Sequence, residues 1–161
     1  MGSPRRWLAT VVTVASLVLA GAACAPAPPP ASQSCAMDAT SVAIFNLTDQ
    51  SRAASGLPGL AANGQLTCLA QAWSQHMAAT RAFAHRDLGS VISSAGYAGV
   101  YHTLGENILL GPASMSAGAM HTAWMNSPDH RANILSGSYS SMGIGLAYVG
   151  GQVYATENFG G

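Results

Sequence analysis

Hydrophobic residues recur at helical spacing in the stretch that follows residue 38. Asp38 and Thr40 are both suitable N-caps for a helix that runs toward Ser55, and Gly56 followed by Pro58 ends it. One face of this helix carries Ile44, Leu47, Ser51 and Ala54. The pattern predicts an amphipathic helix with one face toward a core.

The same spacing predicts two further helices. Residues 67–82 form one of them, with a stripe made of Leu69, Trp73, Met77 and Thr80. Residues 116–126 form the other, with one side made of Ala117, Met120, His121 and Trp124. We interpret His121, and His76 beside the first stripe, as core or boundary residues, because a lone histidine in such a place is more often packed than a ligand.

A short helix follows directly. Ser127 is a suitable N-cap, Pro128 fits the first helical position because it lacks an N–H, and Asp129 lies near the positive end of the helix dipole. His130 occupies the third position, where the dipole disfavours the protonated ring. The sequence therefore predicts a neutral imidazole that is available as a ligand or a base.

The end of the chain changes to a period of two, which is typical of β-strands. Apolar residues alternate with small ones at Met142, Ile144, Leu146 and Tyr148. Gly150-Gly151 predicts a hairpin turn, and residues 152–159 form the return strand. One side of that strand carries Val153, Glu157 and Phe159. Glu157 is then either a buried polar group with a partner or part of a cleft lining.

A further apolar run at residues 107–110 follows Glu106 and predicts an earlier strand. Helices therefore precede the strands and lie between them, which predicts an α+β sandwich. The chain has 161 residues, a length that suits one compact domain.

The first residues have the pattern of an export signal. Arg5-Arg6 precede an uncharged apolar run at residues 7–23, and Ala20-Gly21-Ala22 offers a small-residue cleavage site. A retained membrane anchor is the alternative, which the length of the run barely permits. We predict a signal peptide at 1–23, a Cys- and Pro-rich tether at 24–37, and one domain at 38–161.

Three cysteines are an odd number for an exported protein, so one of them needs a separate role. Cys24 follows Gly21-Ala22-Ala23, which resembles the lipobox of bacterial lipoproteins and makes Cys24 the predicted lipidation site. We pair Cys35 with Cys68 as a disulfide, the alternative being two free thiols. Any membrane contact is then through a lipid anchor at the N-terminus.

Charge is sparse and concentrated near histidines. Only 7% of the residues are charged, 49% are hydrophobic, and lysine is absent. Removing the predicted signal peptide leaves four arginines against six acids, a net charge of minus two. The chain therefore lacks the basic surface that nucleic-acid binding requires.

Four motifs occur in an order that resembles a known family. They are Phe-Ala-His at 83–85, Gly-Glu-Asn-Ile at 105–108, the run WMNSPDHRANIL at 124–135, and the hairpin from 143 to 159. Over about residues 39–160 the chain resembles the bacterial branch of the CAP superfamily of cysteine-rich secretory, antigen 5 and pathogenesis-related proteins, also called SCP domains. The resemblance implies an α-β-α sandwich with a central cleft.

The resemblance also implies a polar cleft in which two histidines and two acids can hold a divalent cation, often zinc. The matching residues are His85, Glu106 and His130. A second family glutamate falls near Ser127, which is no carboxylate. Asp129 is a displaced substitute for it, and Glu157 is a remoter one.

Three functions follow as expectations. The first is an extracellular or envelope-tethered domain whose cleft binds a small amphipathic, lipid or cell-wall ligand. The second is a hydrolase that uses metal-bound water with Glu106 as base, although the chain contains neither GxSxG nor HExxH. The third is a wall-associated interaction protein in which the polar residues only hold loops together.

Overall fold

The computed structural model describes residues 25–30 and 33–161. The predicted signal peptide and Cys24 lie outside the described residues. Within the part of the chain that is described, no helix is both long enough and apolar enough to cross a bilayer.

Helices cover both faces of a four-stranded sheet, which confirms the predicted α+β sandwich. The helices are α1 (Ala39–Ala54), α2 (Gly64–Thr80), α3 (Leu88–Ile92), α4 (Ala117–Asn126) and α5 (Pro128–Ile134). The strands are β1 (Ala61–Ala62), β2 (Leu104–Pro112), β3 (Ser141–Val149) and β4 (Gln152–Gly160). The strand order is β1-β3-β4-β2, with β1 parallel to β3 and the other pairs antiparallel. β2 is therefore an edge strand.

The starts of α1, α4 and α5 agree with the prediction, whereas α2 begins at Gly64, capped by Asn63, and not at residue 67. Asp38 caps α1 by accepting a hydrogen bond from the Ser41 N–H at 2.7 Å, and Ser116 caps α4 in the same way. Ser127 is the N-cap of α5 and Pro128 its first residue, but the Ser127 hydroxyl makes no capping hydrogen bond. The fixed backbone of proline therefore contributes more to this helix start than the serine side chain does.

Two layers of helices enclose the sheet. α2 and α3 pack on one face, and α1, α4 and α5 pack on the other. Gly143 and Gly145 on β3 let α2 approach closely, because a Cβ at either position would collide with the backbone of Thr67 or Gln71. The apolar side chains of β3 and β4 that point away from α2 pack with α1, α4 and α5.

The buried face of α1 differs from the predicted one. It consists of Ser41, Ile44, Thr48 and Arg52. The prediction included Ile44 but also Leu47, Ser51 and Ala54, which are less buried. Periodicity could not find this face because three of its four residues are polar, and Thr48 and Arg52 are buried with hydrogen bonds to other elements.

The predicted disulfide between Cys35 and Cys68 is confirmed. It joins the segment before α1 to α2, with the two Cα atoms 5.0 Å apart. The Cys35 N–H also donates to the Gly64 carbonyl at 3.0 Å. The start of the domain is thus attached to α2 by a covalent bond and a hydrogen bond.

Candidate functional site

Glu106 lies on the edge strand β2 and points into the α2 layer. Its Oε1 accepts a hydrogen bond from the Arg86 backbone N–H at 3.1 Å and lies 3.0 Å from the His85 Nδ1. Only 1% of the Glu106 side chain is exposed, whereas 54% of the His85 side chain is exposed. Glu106 therefore fixes the Nδ1 of His85, while the Nε2 side of the ring faces solvent.

The Arg86 side chain lies beside the other oxygen of the same carboxylate. Its Nε lies 3.4 Å from the Glu106 Oε2, and its Nη2 donates to the Leu69 carbonyl at 2.9 Å. Its guanidinium carbon lies 4.7 Å from the centroid of the Trp73 ring, a cation–π arrangement. Burial lowers the pKa of Arg86 to about 10, an effect that the Glu106 charge opposes. The guanidinium stays charged at neutral pH and compensates the buried carboxylate.

His130 approaches from the opposite layer. α5 presents it at the edge of β2, where its ring centroid lies 6.3 Å from that of His85. Burial lowers the pKa of His130 and the neighbouring His85 lowers it further, while Asp129 raises it. His130 is therefore neutral at physiological pH, in agreement with the expectation from its place in the helix.

Two asparagines fix α5 against β2. The Asn107 Nδ2 donates to the His130 carbonyl at 3.1 Å, and the Asn133 Nδ2 donates to the Glu106 carbonyl at 3.2 Å. The two side chains are also joined, because Asn133 Nδ2 donates to Asn107 Oδ1 at 2.9 Å. The spacing of the two histidines thus depends on a polar network within the protein.

The structure does not bring the other two acids to this place. Asn107 pairs directly with Glu157 across β2 and β4, and Glu106 pairs with Asn158. Because successive residues of a strand point to opposite faces, Glu157 lies on the opposite face of the sheet from Glu106. Asp129 is exposed on α5 and affects His130 only through its charge.

An apolar groove borders His130. It has a volume of about 290 Å³ and is formed by the end of β2, α4 and the segment before His85. Its lining includes Phe83, Leu110, Met115, Trp124, Ser127 and His130. Sequence reasoning missed this groove, although Phe83 stands in the Phe-Ala-His motif and an apolar residue beside a cleft histidine was a usable signal.

Comparison with known proteins decides the family. The model of the CAP family, described as the cysteine-rich secretory protein family, matches residues 45–159. The chain belongs to the CAP family. The match contains α2, the histidine pair, Glu106 and the β3–β4 hairpin, so the candidate site lies within the family domain.

Relatives of this CAP domain occur in bacteria. The uncharacterised protein YkwD of Bacillus subtilis is 34% identical over 110 residues, which are 66% of this chain and 42% of YkwD. The crystal structure of an extracellular SCP-domain protein from Bacillus anthracis is 29% identical, with a TM-score of 0.64 over 75% of this chain and 40% of that one. A cysteine-rich secretory protein from Staphylococcus aureus is 25% identical, with a TM-score of 0.58 over 74% and 38% of the two chains. The chain spans less than half the length of these relatives.

The donor atoms of the cleft limit how a CAP domain of this kind can hold a metal ion. Among residues 25–30 and 33–161, no group of three or more His, Cys, Asp or Glu side chains is arranged to hold one. Glu106 does not fit as a direct ligand, because its oxygens already contact His85, Arg86 and Asn158. His85 and His130 are the nitrogen donors that remain, and Glu106 orients the first of them, as carboxylates do for metal-bound histidines.

Proposed function

We propose that this CAP domain is exported and binds a small amphipathic ligand, lipid-like or derived from the cell wall, in the groove beside His130. The export signal pattern at the N-terminus supports a place outside the cytoplasm. The Bacillus anthracis relative is an extracellular protein, which agrees with that location. The groove supports the ligand class.

One observation carries the ligand class: the groove is apolar along its walls and polar at one end. Phe83 is 49% exposed and Leu110 is 37% exposed, so both present apolar surface to water. His130 lines the same groove, with His85 close to it. A ligand with an apolar body and a polar head would cover the first surface and hydrogen-bond to the imidazoles.

The hydrolase alternative has weaker support in the geometry. A general base must reach the proton that it abstracts, and the Glu106 carboxylate is buried and already accepts hydrogen bonds. His85 and His130 are better placed to contact a bound molecule than Glu106 is. The groove likewise favours a binding role over a cleft whose polar residues only hold loops.

A fluorescent fatty-acid probe tests the proposal on the full mature chain. Phe83→Ser removes one apolar wall and should weaken probe binding by at least about tenfold, the equivalent of about 1.4 kcal/mol. Tyr148→Ser is the matched control, because Tyr148 is 52% exposed but lies on the β3–β4 hairpin. Equal affinities for both variants, or no binding by the wild type, would contradict the proposal of a lipid-like ligand. Binding of soluble cell-wall fragments would then be measured with the same pair.

A divalent cation at the histidine pair is a second part of the proposal. The His85 and His130 nitrogens can bind zinc, while Glu106 orients His85. Two protein ligands are fewer than the three that catalytic zinc sites commonly use, so we expect weak binding. Calorimetric titration of zinc into the wild type, His85→Ala and His130→Ala checks this, with His76→Ala as a control on α2. Binding that survives in both cleft variants would place the ion elsewhere.

Tethering to the envelope through Cys24 completes the proposal. Labelling cells with a lipid precursor should mark the wild-type protein and leave Cys24→Ser unmarked. A labelled Cys24→Ser protein, or a mature N-terminus after Cys24, would show free secretion or another anchor.

A further inference from the structure

Four side chains form a polar chain from the surface into the core, on the face of the sheet opposite Glu106. The Ser51 Oγ lies 2.8 Å from the His121 Nε2, and the His121 Nδ1 lies 3.4 Å from the Thr48 Oγ1. The Thr48 Oγ1 lies 3.4 Å from the Glu157 Oε1. Ser51 is partly exposed, whereas Thr48 and Glu157 are fully buried. The chain thus connects solvent to a buried carboxyl group.

Asn107 fixes the inner end of this chain. Its Nδ2 donates to the Glu157 Oε2 at 2.9 Å and also to the His130 carbonyl. Its Oδ1 accepts from Asn133, so the amide cannot turn round without losing three hydrogen bonds. The Oε2 of Glu157 is therefore an acceptor in every state, and a proton on this carboxyl group must sit on Oε1, which faces Thr48.

Among the residues that the structure describes, no cation forms an ion pair with Glu157. The titratable or charged groups that face Glu157 from the elements packed against it are His121 on α4, Arg52 on α1 and His130 on α5. The other charged groups of these elements point elsewhere: Asp49 accepts a hydrogen bond from the Leu60 N–H, Asp129 and Arg131 are exposed, and Glu106 lies on the opposite face of the sheet. The Arg52 guanidinium donates to the carbonyls of residues 134 and 136, and His130 contributes its backbone carbonyl to Asn107. Only His121 is joined to Glu157 through the polar chain.

Both titratable groups of the chain respond to burial. Burial raises the pKa of Glu157 to about 8, although the hydrogen bonds from Asn107 and Thr48 oppose this. Burial lowers the pKa of His121, so its ring is neutral when Glu157 titrates. The carboxyl group therefore exchanges its proton while the imidazole changes only in which nitrogen carries hydrogen.

We propose that Ser51, His121, Thr48 and Glu157 form a proton-transfer path between the surface and the core. Each of the first three groups can both donate and accept a hydrogen bond, so the chain can run in either direction. Its direction is set by the protonation state of Glu157.

The protons balance along the path. When Glu157 is protonated, its Oε1–H donates to Thr48, the Thr48 hydroxyl donates to His121 Nδ1, and the His121 Nε2–H donates to Ser51. On deprotonation each group passes one proton outward, and Ser51 releases its original hydroxyl proton to water. The ionised state then has Ser51 donating to His121 Nε2, Nδ1–H donating to Thr48, and Thr48 donating to the carboxylate. His121 has changed tautomer and remained neutral.

Thr48 controls the transfer. Both of its contacts are 3.4 Å long, beyond the usual hydroxyl hydrogen-bond range, whereas the Ser51–His121 contact is 2.8 Å. The threonine side chain must therefore move by a few tenths of an ångström, about the scale of ordinary thermal motion in a packed structure, for each proton to pass.

The tautomer of His121 provides the test. Proton–nitrogen correlation NMR of the labelled full chain should show Nε2–H well below the Glu157 pKa and Nδ1–H well above it. Only two glutamates occur in the chain, so carbon-labelled glutamate reports the Glu157 titration directly. Glu157→Gln places an N–H toward Thr48, as the protonated acid does, and should hold His121 as Nε2–H at every pH at which the ring is neutral.

Thr48→Val interrupts the path and should leave the His121 tautomer independent of Glu157. Thr67→Val is the matched control, a buried threonine on α2 whose hydroxyl donates to the Asn63 carbonyl, and it should keep the switch. The proposal is overturned if wild-type His121 keeps one tautomer through the Glu157 titration, or if the switch persists in Thr48→Val. Should Thr48→Val fail to fold, the comparison of wild type with Glu157→Gln decides alone.

Discussion

Glu106 is the carboxylate around which the polar side of the cleft is built. Its two oxygens contact His85, the Arg86 backbone and side chain, and Asn158, and almost none of its surface is exposed. A buried charge is tolerated only when it is paired and hydrogen-bonded. For the Glu106 carboxylate, the Arg86 guanidinium supplies the opposite charge and the Arg86 backbone N–H supplies a hydrogen bond. Glu106 and Arg86 therefore stabilise each other, and His85 depends on both for its orientation.

Glu106→Gln should destabilise the fold by about 3 kcal/mol, because the buried Arg86 guanidinium would lose its counter-charge. Urea unfolding of the full chain measures the loss. The double variant Glu106→Gln/Arg86→Met should recover part of it, since no unpaired charge remains. Asp129→Asn, at an exposed carboxylate, should stay within about 0.5 kcal/mol of the wild type. Equal losses in the single and double variants would contradict the pairing.

The sequence predicted single residues where a local pattern or a motif was enough. The motifs pointed to His85, Glu106 and His130, and the two imidazoles do lie close together. The period of two placed Glu157 correctly among apolar residues. It could not show that Glu157 faces away from Glu106, because that depends on the pairing of Asn107 with Glu157 across two strands that are distant in sequence.

Arg52 joins elements that are far apart in the chain. From the buried face of α1 its guanidinium donates to the carbonyls of Pro58, Ile134 and Ser136, at 3.0, 2.8 and 2.8 Å. The planar guanidinium spreads its donors over three nitrogens in a fixed geometry, whereas an ammonium group has all its donors on one atom at the end of a flexible stem and cannot reach all these carbonyls at once. The loop after α1 and the segment after α5 are therefore held by one side chain.

Arg52→Lys should cost about 2 to 4 kcal/mol, because at least two buried carbonyls lose their donor. Denaturant unfolding measures this, and amide exchange should show that residues 134–139 open first. Arg131→Lys is the control, since Arg131 is exposed on α5 and should change stability by less than about 0.5 kcal/mol. Similar stabilities for the two variants would mean that Arg52 is replaceable.

Elements could be predicted where they are long enough to show a period. The stripe of α2 and the β3–β4 hairpin agree with the structure within a few residues. α3 has five residues and β1 has two, too few for any period to be visible. β1 exists only because it pairs with β3, which is a tertiary contact. α3 begins at a local cap, Asp87, a signal that the sequence offered without a period to support it.

At the scale of the whole molecule, the sheet separates two polar systems. His85, Arg86 and Glu106 lie on the α2 side, and the path from Ser51 to Glu157 lies on the α1 side. Asn107 contacts both the buried Glu157 and the backbone of His130. From the sequence, Ser51 and His121 were placed on separate helix faces, Glu157 was placed on a strand, and Thr48 was not named. The packing of α1 on α4 is what brings Ser51 and His121 together.

The stability of the whole domain should therefore depend on pH through Glu157. Burial raises its pKa from 4.5 to about 8 in the folded state. The folded protein then holds a proton that the unfolded chain releases, so this contribution is fully present below the unfolded pKa and is lost as pH rises through about 8.

The glutamine of Glu157→Gln cannot titrate, so this variant should lack the pH dependence. As the pH rises from about 4.5 to about 8, the stability of the wild type relative to the variant should fall by an amount on the order of a few kcal/mol. Thermal or urea unfolding of both proteins over the pH range measures the difference, in which His121 and the other groups that they share largely cancel. Asp129→Asn, which changes an exposed carboxylate, should follow the wild-type profile. If the difference in stability between the wild type and Glu157→Gln stays constant over pH, Glu157 ionises in the folded protein as readily as in the unfolded chain. A carboxylate so deeply buried would then need a cation or water molecules to compensate its charge.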